Sequence, residues 1–293
     1  MRAGFVSLVG RPNAGKSTLL NRFAGQKLAI VSDKPQTTRH RIVGVRNVQG
    51  GQMVFIDTPG IHKPVHRMNR RMVDVATGTL SEVDVVVLVV DASESQGAGN
   101  NFVLGLVKQS RAKLIVALNK IDRIEKSRLL PLMQKYSEGN ISAVVPISAT
   151  TGDGVDGLER EILSALPEGE ALYPDDYLTD QTERLLAAEL IREKVLRHTR
   201  DELPYTTAVV IDEYKEPPAS GGLTRIHASI LVDHDSQKPI ILGKGGDMIK
   251  RIGTEARLDL EEMLEGKVFL DLHVKVRGDW RDDERILDEI GLK

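Results

Sequence analysis

The sequence predicts an α/β protein whose larger part is a doubly wound, mostly parallel β-sheet, followed by a smaller α+β part. Three observations predict this. Short β-branched runs alternate with turns and helix-like stretches over residues 1–167. Several of these runs are continuously apolar, which is typical of strands buried on both faces of a parallel sheet. After residue 167, proline, glycine and acidic residues crowd together without periodicity, so the pattern changes there.

Five apolar runs are the predicted strands of the parallel sheet: Phe5–Val9, Met53–Ile56, Val85–Val90, Leu114–Leu118 and Val144–Ile147. Residues Arg41–Val48 alternate more loosely, which indicates an edge strand that can run antiparallel to its neighbour. Helix-like stretches separate the runs, beginning with Thr18–Phe23. Strands and helices that alternate in this way predict a doubly wound fold.

We predict a first domain over residues 1–167, a linker over 168–177 and a second domain over 178–293. A usual domain size of ~150 residues agrees with this division. The second domain is predicted as helix, strand, strand, helix, turn, helix, strand. Its long helices are predicted from Thr179–Asp180 to about Arg200 and from about Gly253 to Leu264. Its predicted strands are Thr206–Tyr214, Arg225–Val232 and Val268–Val276.

Composition excludes several classes of protein. The chain has no cysteine, which excludes disulfide scaffolds, thiolate zinc sites and cysteine nucleophiles. Lysine and arginine number 40 against 42 acidic residues, so any nucleic-acid site must be local. The longest apolar run, Val85–Val90, is far shorter than the ~20 residues that span a bilayer. No signal peptide is recognisable, and we expect a cytoplasmic protein.

The segment Gly10–Ser17 fits the phosphate-binding pattern G-x-x-x-x-G-K-[ST] in full. It lies between a predicted strand and a predicted helix, which is the context that this pattern requires. Glycines let backbone N–H groups converge on phosphate oxygens, and the helix dipole adds to the attraction. Lys16 is predicted to neutralise the β- and γ-phosphates, and the Ser17 hydroxyl to bind Mg²⁺. The predicted residues of this phosphate site are Asn13, Ala14, Gly15, Lys16, Ser17 and Thr18.

The segment Asp57–Gly60 follows a buried strand and completes the predicted phosphate end of the site. An acid in this position can hold Mg²⁺ through water, and the Gly60 N–H can sense a γ-phosphate. Either Thr37 or Thr38 can supply a second hydroxyl to the metal. We assign the catalytic role to Lys16, Thr38 and Gly60, and the metal to Ser17, Thr38 and Asp57.

Two further strand ends predict a guanine site. Asn119-Lys120-Ile121-Asp122 ends one strand, and its Asp122 carboxylate can accept the N1–H and the exocyclic N2–H₂ of guanine, which adenine does not present. Asn119 can tie this loop to the phosphate loop, and the Lys120 stem can pack over the ring. At the next strand end, a backbone N–H of Ser148 or Ala149 can donate to guanine O6. The predicted nucleotide is therefore GTP or GDP.

With these motifs assembled, the chain resembles the Era family, bacterial GTPases of the TrmE–Era class, over its whole length. The motifs that carry the resemblance are Gly10–Ser17, Gln36–Arg39, Asp57–Pro64, Asn119–Asp122, Ser148–Ala149 and Ile241–Gly246. The resemblance implies a P-loop GTPase domain joined to a type II KH domain. It also implies a monomer that binds the 3′ end of 16S ribosomal RNA during assembly of the 30S subunit, with peripheral association with the inner membrane left open.

The same resemblance bears on hydrolysis. Ile61 follows Gly60 where Ras-like GTPases carry a water-positioning glutamine, so no general base is assigned. In this class the threonine beside the arginine is the usual Mg²⁺ ligand, which favours Thr38 over Thr37. Some members use K⁺ held partly by the P-loop asparagine, here Asn13, and K⁺ dependence is therefore a hypothesis.

The run Gly243-Lys244-Gly245-Gly246 supplies the G-x-x-G loop with which a KH domain clamps single-stranded RNA. Glycines permit close approach of the sugar–phosphate chain, and Lys244 adds charge. Apolar neighbours such as Ile241, Leu242 and Ile249 could line a groove for unstacked bases. The predicted RNA-binding residues are Ile241, Gly243, Lys244, Gly245, Gly246, Lys250 and Arg251.

Two other functions stay open from the sequence alone. One is a GTPase coupled to tRNA modification or to a protein partner, with the C-terminal domain as an adaptor. The other is a membrane-associated signalling GTPase, for which the chain offers a basic face but no lipidation motif.

Overall fold

The structure, a computed structural model, describes residues 1–34, 36–60, 66–95, 97–217 and 222–292. It divides into two compact units. The first contains residues 1–65 and 69–180, and the second contains residues 66–68 and 181–293.

The first unit is built on a six-stranded sheet in the order β2-β3-β1-β4-β5-β6. The strands are β1 (Arg2–Val9), β2 (Ile42–Val48), β3 (Gly51–Asp57), β4 (Val85–Asp91), β5 (Lys113–Asn119) and β6 (Ala143–Pro146). All neighbouring pairs are parallel except β2 and β3, which are antiparallel. The predicted doubly wound, mostly parallel sheet is confirmed.

Helices cover both faces of this sheet. They are α1 (Lys16–Ala24), α2 (Arg67–Thr79), α3 (Ala98–Val107), α4 (Leu129–Tyr136) and α5 (Val155–Ala165). Strand β4 shows why its run is apolar throughout, because its alternate valines enter different cores. Val85, Val87 and Val89 pack with residues of α1 and α5, whereas Val86 and Val90 pack with residues of α2 and α3. A strand buried on both faces is therefore apolar along most of its length.

Residues 172–180 run along the exposed edge of β2, and we call this segment the edge strap. The Val45 N–H donates to the Leu178 carbonyl over 2.8 Å, and the Thr179 hydroxyl donates to the Val43 carbonyl over 2.6 Å. The buried Gln52 side chain accepts from the N–H groups of Leu172 and Tyr173. Several residues of the predicted linker, 168–177, are thus hydrogen-bonded to the first unit, which extends to residue 180.

The second unit has a three-stranded sheet in the order β7-β8-β9. Its elements are α6 (Glu183–His198), α7 (Leu203–Thr206), β7 (Ala208–Lys215), β8 (Leu223–Val232), α8 (Lys238–Leu242), α9 (Asp247–Met263), β9 (Lys267–Val276) and α10 (Glu284–Glu289). Strands β7 and β8 are antiparallel, and β8 and β9 are parallel. This is the predicted α+β order. Within the described residues, no helix combines the length and the apolar character needed to cross a membrane.

Three of the predicted element starts differ from the structure for reasons that the contacts show. Helix α6 begins at Glu183, because Thr182 is its N-cap. Asp180 still belongs to the edge strap, where its carboxylate accepts a hydrogen bond from the Val43 N–H of β2. Helix α9 begins at Asp247 and contains Gly253, which weakens a helix but does not end it. The strand predicted from Thr206 begins at Ala208, since the preceding residues form the short helix α7 with a proline in its first turn.

Candidate nucleotide site and RNA groove

The phosphate loop Gly10–Ser17 connects β1 to α1, and its backbone requires glycine at two places. Gly15 has φ 96°, and a Cβ there would run into the Asn119 amide. A Cβ on Gly10 would collide with the carbonyl oxygen of Val89. The loop is therefore held tightly against the ends of β4 and β5, with the first turn of α1 behind it.

Lys16 lies at the centre of this loop and is only 5% exposed. Its ammonium donates to the carbonyl oxygens of Gly10, over 3.3 Å, and Arg11, over 3.1 Å. Burial lowers the pKa of Lys16, and the nearby Asp57 carboxylate opposes that shift. An ammonium whose hydrogen bonds go to neutral carbonyls gains from a bound phosphate, because the phosphate offers charged acceptors at the same place.

Three oxygen-bearing side chains converge beside Lys16. The Ser17 hydroxyl donates to Asp57 Oδ2 over 2.6 Å and lies 2.7 Å from the Thr38 hydroxyl, which donates to the same carboxylate over 3.2 Å. Burial raises the pKa of Asp57, although Lys16 and these hydrogen bonds oppose the shift. Its Oδ1 is buried without a hydrogen-bond partner among the described residues. Two hydroxyls and a carboxylate with an unsatisfied oxygen fit Mg²⁺, which prefers oxygen ligands.

The two neighbouring threonines have different surroundings. Thr38 joins Ser17 and Asp57, whereas the Thr37 hydroxyl donates to the Lys34 carbonyl over 2.5 Å. Gly60 lies against the phosphate loop, since a Cβ there would be 2.8 Å from the Pro12 nitrogen. The predictions that concern residues 61–64 lie outside the described residues.

Asn119 ties the base-binding loops to the phosphate loop. Its amide nitrogen donates to the Ala14 carbonyl over 2.8 Å, and its Oδ1 accepts the Ala149 N–H over 2.9 Å. The Ser148 N–H donates to the Asp153 carbonyl over 2.8 Å. Both N–H groups predicted for guanine O6 therefore already have acceptors within the protein, and that contact stays a prediction.

Asp91 is a residue of this site that the sequence analysis missed. It ends β4, and its carboxylate accepts hydrogen bonds from the Lys120 ammonium, over 2.5 Å, and from Ser93. Burial alone would raise the pKa of Asp91, but these hydrogen bonds outweigh it and hold the pKa below its ordinary value. The signal was available: an acid follows the buried run Val85–Val90, as Asp57 follows its own strand.

A cleft of about 440 Å³ joins these parts. The predicted residues that line it are Asn13, Gly15, Lys16, Ser17, Thr18, Thr38, Gly60, Asn119, Lys120 and Ala149. Ala14, Asp57 and Ser148 lie behind this lining and are buried. Asp122 follows Lys120 in a short turn, with 31% of its side chain exposed. Lining residues that the sequence did not single out include Ser93, Glu94, Arg123 and Thr150.

In the second unit, the turn between α8 and α9 has backbone angles that favour glycine. Gly243 has φ 74° and ψ 175°, and a Cβ there would lie 2.6 Å from the Met248 Cβ. Gly245 and Gly246 also have positive φ, but a Cβ on either would meet open space. Lys244, between Gly243 and Gly245, is exposed. The turn thus presents an open backbone and one cation.

A groove of about 300 Å³ lies next to this turn, between α9 and β9. It is lined by Ile249, Lys250, Gly253, Thr254, Arg257, Leu270 and Leu272. Ile241 does not line it: the side chain is 0% exposed and packs in the core of the unit, so the expectation that this side chain lines a groove for bases was wrong, while RNA contact at residue 241 stays a prediction. Arg251 is exposed outside the lining, with its Nε 3.3 Å from Glu255.

Two family descriptions match the two units. The family "50S ribosome-binding GTPase" matches residues 5–120, and the family "KH domain" matches residues 202–281.

The most similar proteins include GTPase Era of Geobacter metallireducens, 52% identical over 99% of this chain and 97% of its own length. GTPase Era of Heliobacterium modesticaldum is 46% identical, covering 100% of this chain and 97% of its own length. Two solved structures of Era each have a TM-score of 0.95 and 41% identity, covering 100% of this chain and 99% of theirs. One is an Aquifex aeolicus Era variant bound to GDP·AlF4⁻, and the other holds MgGDPNP and nucleotides 1506–1542 of 16S ribosomal RNA. The chain therefore belongs to the Era family of GTPases.

Proposed function

We propose that this GTPase is a switch that binds the 3′ end of 16S ribosomal RNA and acts in the cytoplasm during assembly of the small ribosomal subunit. The observation that carries the proposal is the open Gly243–Gly246 turn beside the α9–β9 groove, in the same chain as a nucleotide site. A relative with the same fold is bound to this RNA segment in its solved structure. A glycine turn with one lysine is what a KH domain uses to hold the backbone of single-stranded RNA.

At the nucleotide site, the proposed roles follow the contacts. Lys16 and the phosphate-loop N–H groups hold the β- and γ-phosphates, and Gly60 contacts the γ-phosphate. Ser17, Thr38 and Asp57 hold Mg²⁺, with the Asp57 carboxylate acting through water. Asn119, Lys120 and Asp122 bind the base. Loss of the γ-phosphate would release Thr38 and Gly60, which is how such a switch changes state.

RNA binding tests the main proposal. The double variant Lys244→Asp/Gly245→Asp replaces the cation of the turn with two carboxylates, and aspartate tolerates the left-handed backbone at position 245. We expect this variant to lose binding to a 16S 3′-end oligonucleotide while it still hydrolyses GTP. The matched control, Lys126→Asp/Ser127→Asp, makes the same charge change at exposed residues of the first unit and should bind normally. Equal binding by both variants would overturn the proposal.

We also propose that K⁺ accelerates GTP hydrolysis through Asn13. The Asn13 amide nitrogen donates to the Asp33 carbonyl over 2.5 Å, so its side chain links the phosphate loop to the loop that precedes Thr38. We expect faster turnover in K⁺ than in Na⁺, and loss of that difference in Asn13→Ala. Equal turnover in both salts, with no change in the variant, would contradict this idea. Monomeric state and peripheral membrane association stay predictions from the sequence alone.

A further inference from the structure

Strand β9 connects the RNA groove to a second surface of the same unit. It lies at the edge of the sheet, and its side chains alternate between the two faces. Leu270 and Leu272 point to the helix side, where they line the groove. Phe269, Asp271 and His273 therefore point to the opposite side, together with Arg225 and His227 of β8. We call these five residues the outer face.

Phe269 is the unusual residue of the outer face, because it is a large aromatic side chain that is 43% exposed. In the register of β8 and β9 it lies directly opposite Arg225, whose guanidinium is 5.7 Å from the centre of the ring. The His227 ring centre is 5.8 Å from the same ring. An exposed ring on an open sheet, flanked by a guanidinium and an imidazole, is the arrangement on which proteins stack unpaired bases.

The lysine and arginine side chains of this face lie beside Phe269 and towards the two ends of β9. On the outward-facing positions of β8 and β9, the lysine and arginine residues are Arg225, Lys267 and Lys275, and the carboxylate is Asp271. Two carboxylates of β7 also reach this face: Asp212 lies 3.1 Å from Lys275 Nζ, and Glu213 lies 3.7 Å from His227 Nε2. Asp271 lies between two histidines, with its Oδ2 at 3.2 Å from a nitrogen of each ring. Lys267, the first residue of β9, is 81% exposed, and its Nζ lies 3.8 Å from Glu261. Arg225, whose guanidinium lies over the Phe269 ring, is placed to pair with the phosphate of a nucleotide stacked there.

We propose that the RNA strand held in the α9–β9 groove continues around the edge of β9 and stacks an unpaired base on Phe269. This inference rests on the proposed RNA binding and extends it to nucleotides outside the groove. Because β9 is an edge strand of the described sheet, an RNA strand can pass around its free edge from the groove side to the outer face without crossing another strand. The footprint of the unit is thus longer than the about four nucleotides that a KH groove clamps.

The test compares two oligonucleotides of the same 3′-terminal sequence, one of about four nucleotides that fills the groove and one of about ten that extends beyond it. Phe269→Ala should weaken binding of the longer RNA about fivefold to a hundredfold, the usual effect of removing one stacked base, and leave the shorter RNA unchanged. Phe269→Leu should behave like Phe269→Ala, and Phe269→Tyr should retain wild-type affinity. Phe102→Ala, which removes an exposed phenylalanine (61% exposed) from the first unit, is the matched control.

A direct readout is the fluorescence of 2-aminopurine placed outside the groove segment, which stacking on Phe269 should quench in the wild type but not in Phe269→Ala. Unchanged affinity of Phe269→Ala for the longer RNA, as expected if the outer face serves a protein partner, would overturn the inference. An equal loss for both lengths would also overturn it, because that result places Phe269 in the fold of the groove. Failure of the wild type to bind the short RNA would instead refute the proposed function.

Discussion

Asp122 is the residue that sets the base preference we propose, so its replacement gives the sharpest test of the nucleotide site. An asparagine there presents an amide N–H₂ where guanine also presents donors, so the two repel. The same N–H₂ can donate to the carbonyl oxygen that xanthine carries at C2. We expect Asp122→Asn to lose at least about 100-fold in GTP affinity, because a charged acceptor of two hydrogen bonds is removed. Affinity for XTP should rise in the same variant.

Titration with fluorescent GTP and XTP analogues measures both affinities. Glu125→Gln, an exposed acid three positions further along the chain, is the matched control and should change neither. A GTP-to-XTP preference that is the same in Asp122→Asn and the wild type would contradict the role of Asp122.

Asp91 stabilises the base-binding loop through Lys120, and its lowered pKa fixes how this contribution depends on pH. A carboxylate with a lowered pKa in the folded state stabilises the fold above the ordinary aspartate pKa, near 4, and loses that contribution as pH falls through the lower value. We expect Asp91→Asn to lower the free energy of unfolding by about 1–3 kcal/mol at pH 7, the usual loss when a buried charged hydrogen bond is removed.

Denaturant unfolding of both proteins at several pH values checks the effect of Asp91. The difference between wild type and variant should stay constant from pH 8 to pH 5, since Asp91 remains ionised over that range. A difference that shrinks steadily across that range would be inconsistent with a lowered pKa.

At the scale of elements, two glycines of the Gly243–Gly246 turn both have positive φ but differ in the space that a side chain would find. Gly243 occupies a region of φ and ψ that is essentially restricted to glycine, and its Cβ would also press on Met248. Gly245 has φ 63° and open surroundings. We expect Gly243→Ala to destabilise the protein by about 3 kcal/mol or more. Gly245→Ala should cost about 1 kcal/mol.

Thermal unfolding of the two alanine variants measures this difference directly. Because both substitutions place alanine at positive φ, each is the control for the other. Equal stabilities would mean that the turn adjusts freely around residue 243.

Most strands could be predicted from the sequence because a strand buried on both faces requires consecutive apolar residues. The run Val85–Val90 needs two apolar cores, and only a central parallel strand supplies both. Helix starts were harder to predict, since they depend on contacts made by residues distant in sequence. Asp180 is a good helix-capping residue by type, but it accepts a hydrogen bond from Val43 and Thr182 caps α6 in its place.

Site residues could be predicted where a short motif marks them, and they were missed where their role depends on contacts between distant residues. The nucleotide site is carried by short motifs at strand ends, so most of its residues could be found from spacing. Asp91 escaped because it stands outside every such motif and acts through Lys120. Ile241 was misplaced because helix α8 has five residues, too few for apolar periodicity to show which side chain enters the core.

At the scale of the whole molecule, one path from the nucleotide site to the second unit runs along β2, crosses to the edge strap through hydrogen bonds, and continues along the chain into α6. Strand β2 begins at Ile42, four residues after Thr38, and the strap is hydrogen-bonded to Val43, Val45 and Gln52 before the chain enters α6. A conformational change in the segment around Thr38 would therefore act on β2, to which the strap is hydrogen-bonded. We expect nucleotide and RNA binding to be coupled through this path.

Gln52→Leu tests that coupling. The Gln52 amide is 0% exposed, donates to the Tyr173 carbonyl and accepts the Leu172 and Tyr173 N–H groups, so leucine leaves three backbone groups of the strap without their partner.

In the wild type we expect RNA affinity to differ at least about fivefold between the GDPNP and GDP states, the low end of usual allosteric coupling. RNA must then change the relative affinity for the two nucleotides by the same factor. In Gln52→Leu both factors should fall toward one, while Gln109→Leu, at an exposed glutamine, should leave them unchanged. Hydrogen exchange at Leu172 and Tyr173 reports whether the strap has been released. A released strap with full coupling would show that the two sites communicate by another route.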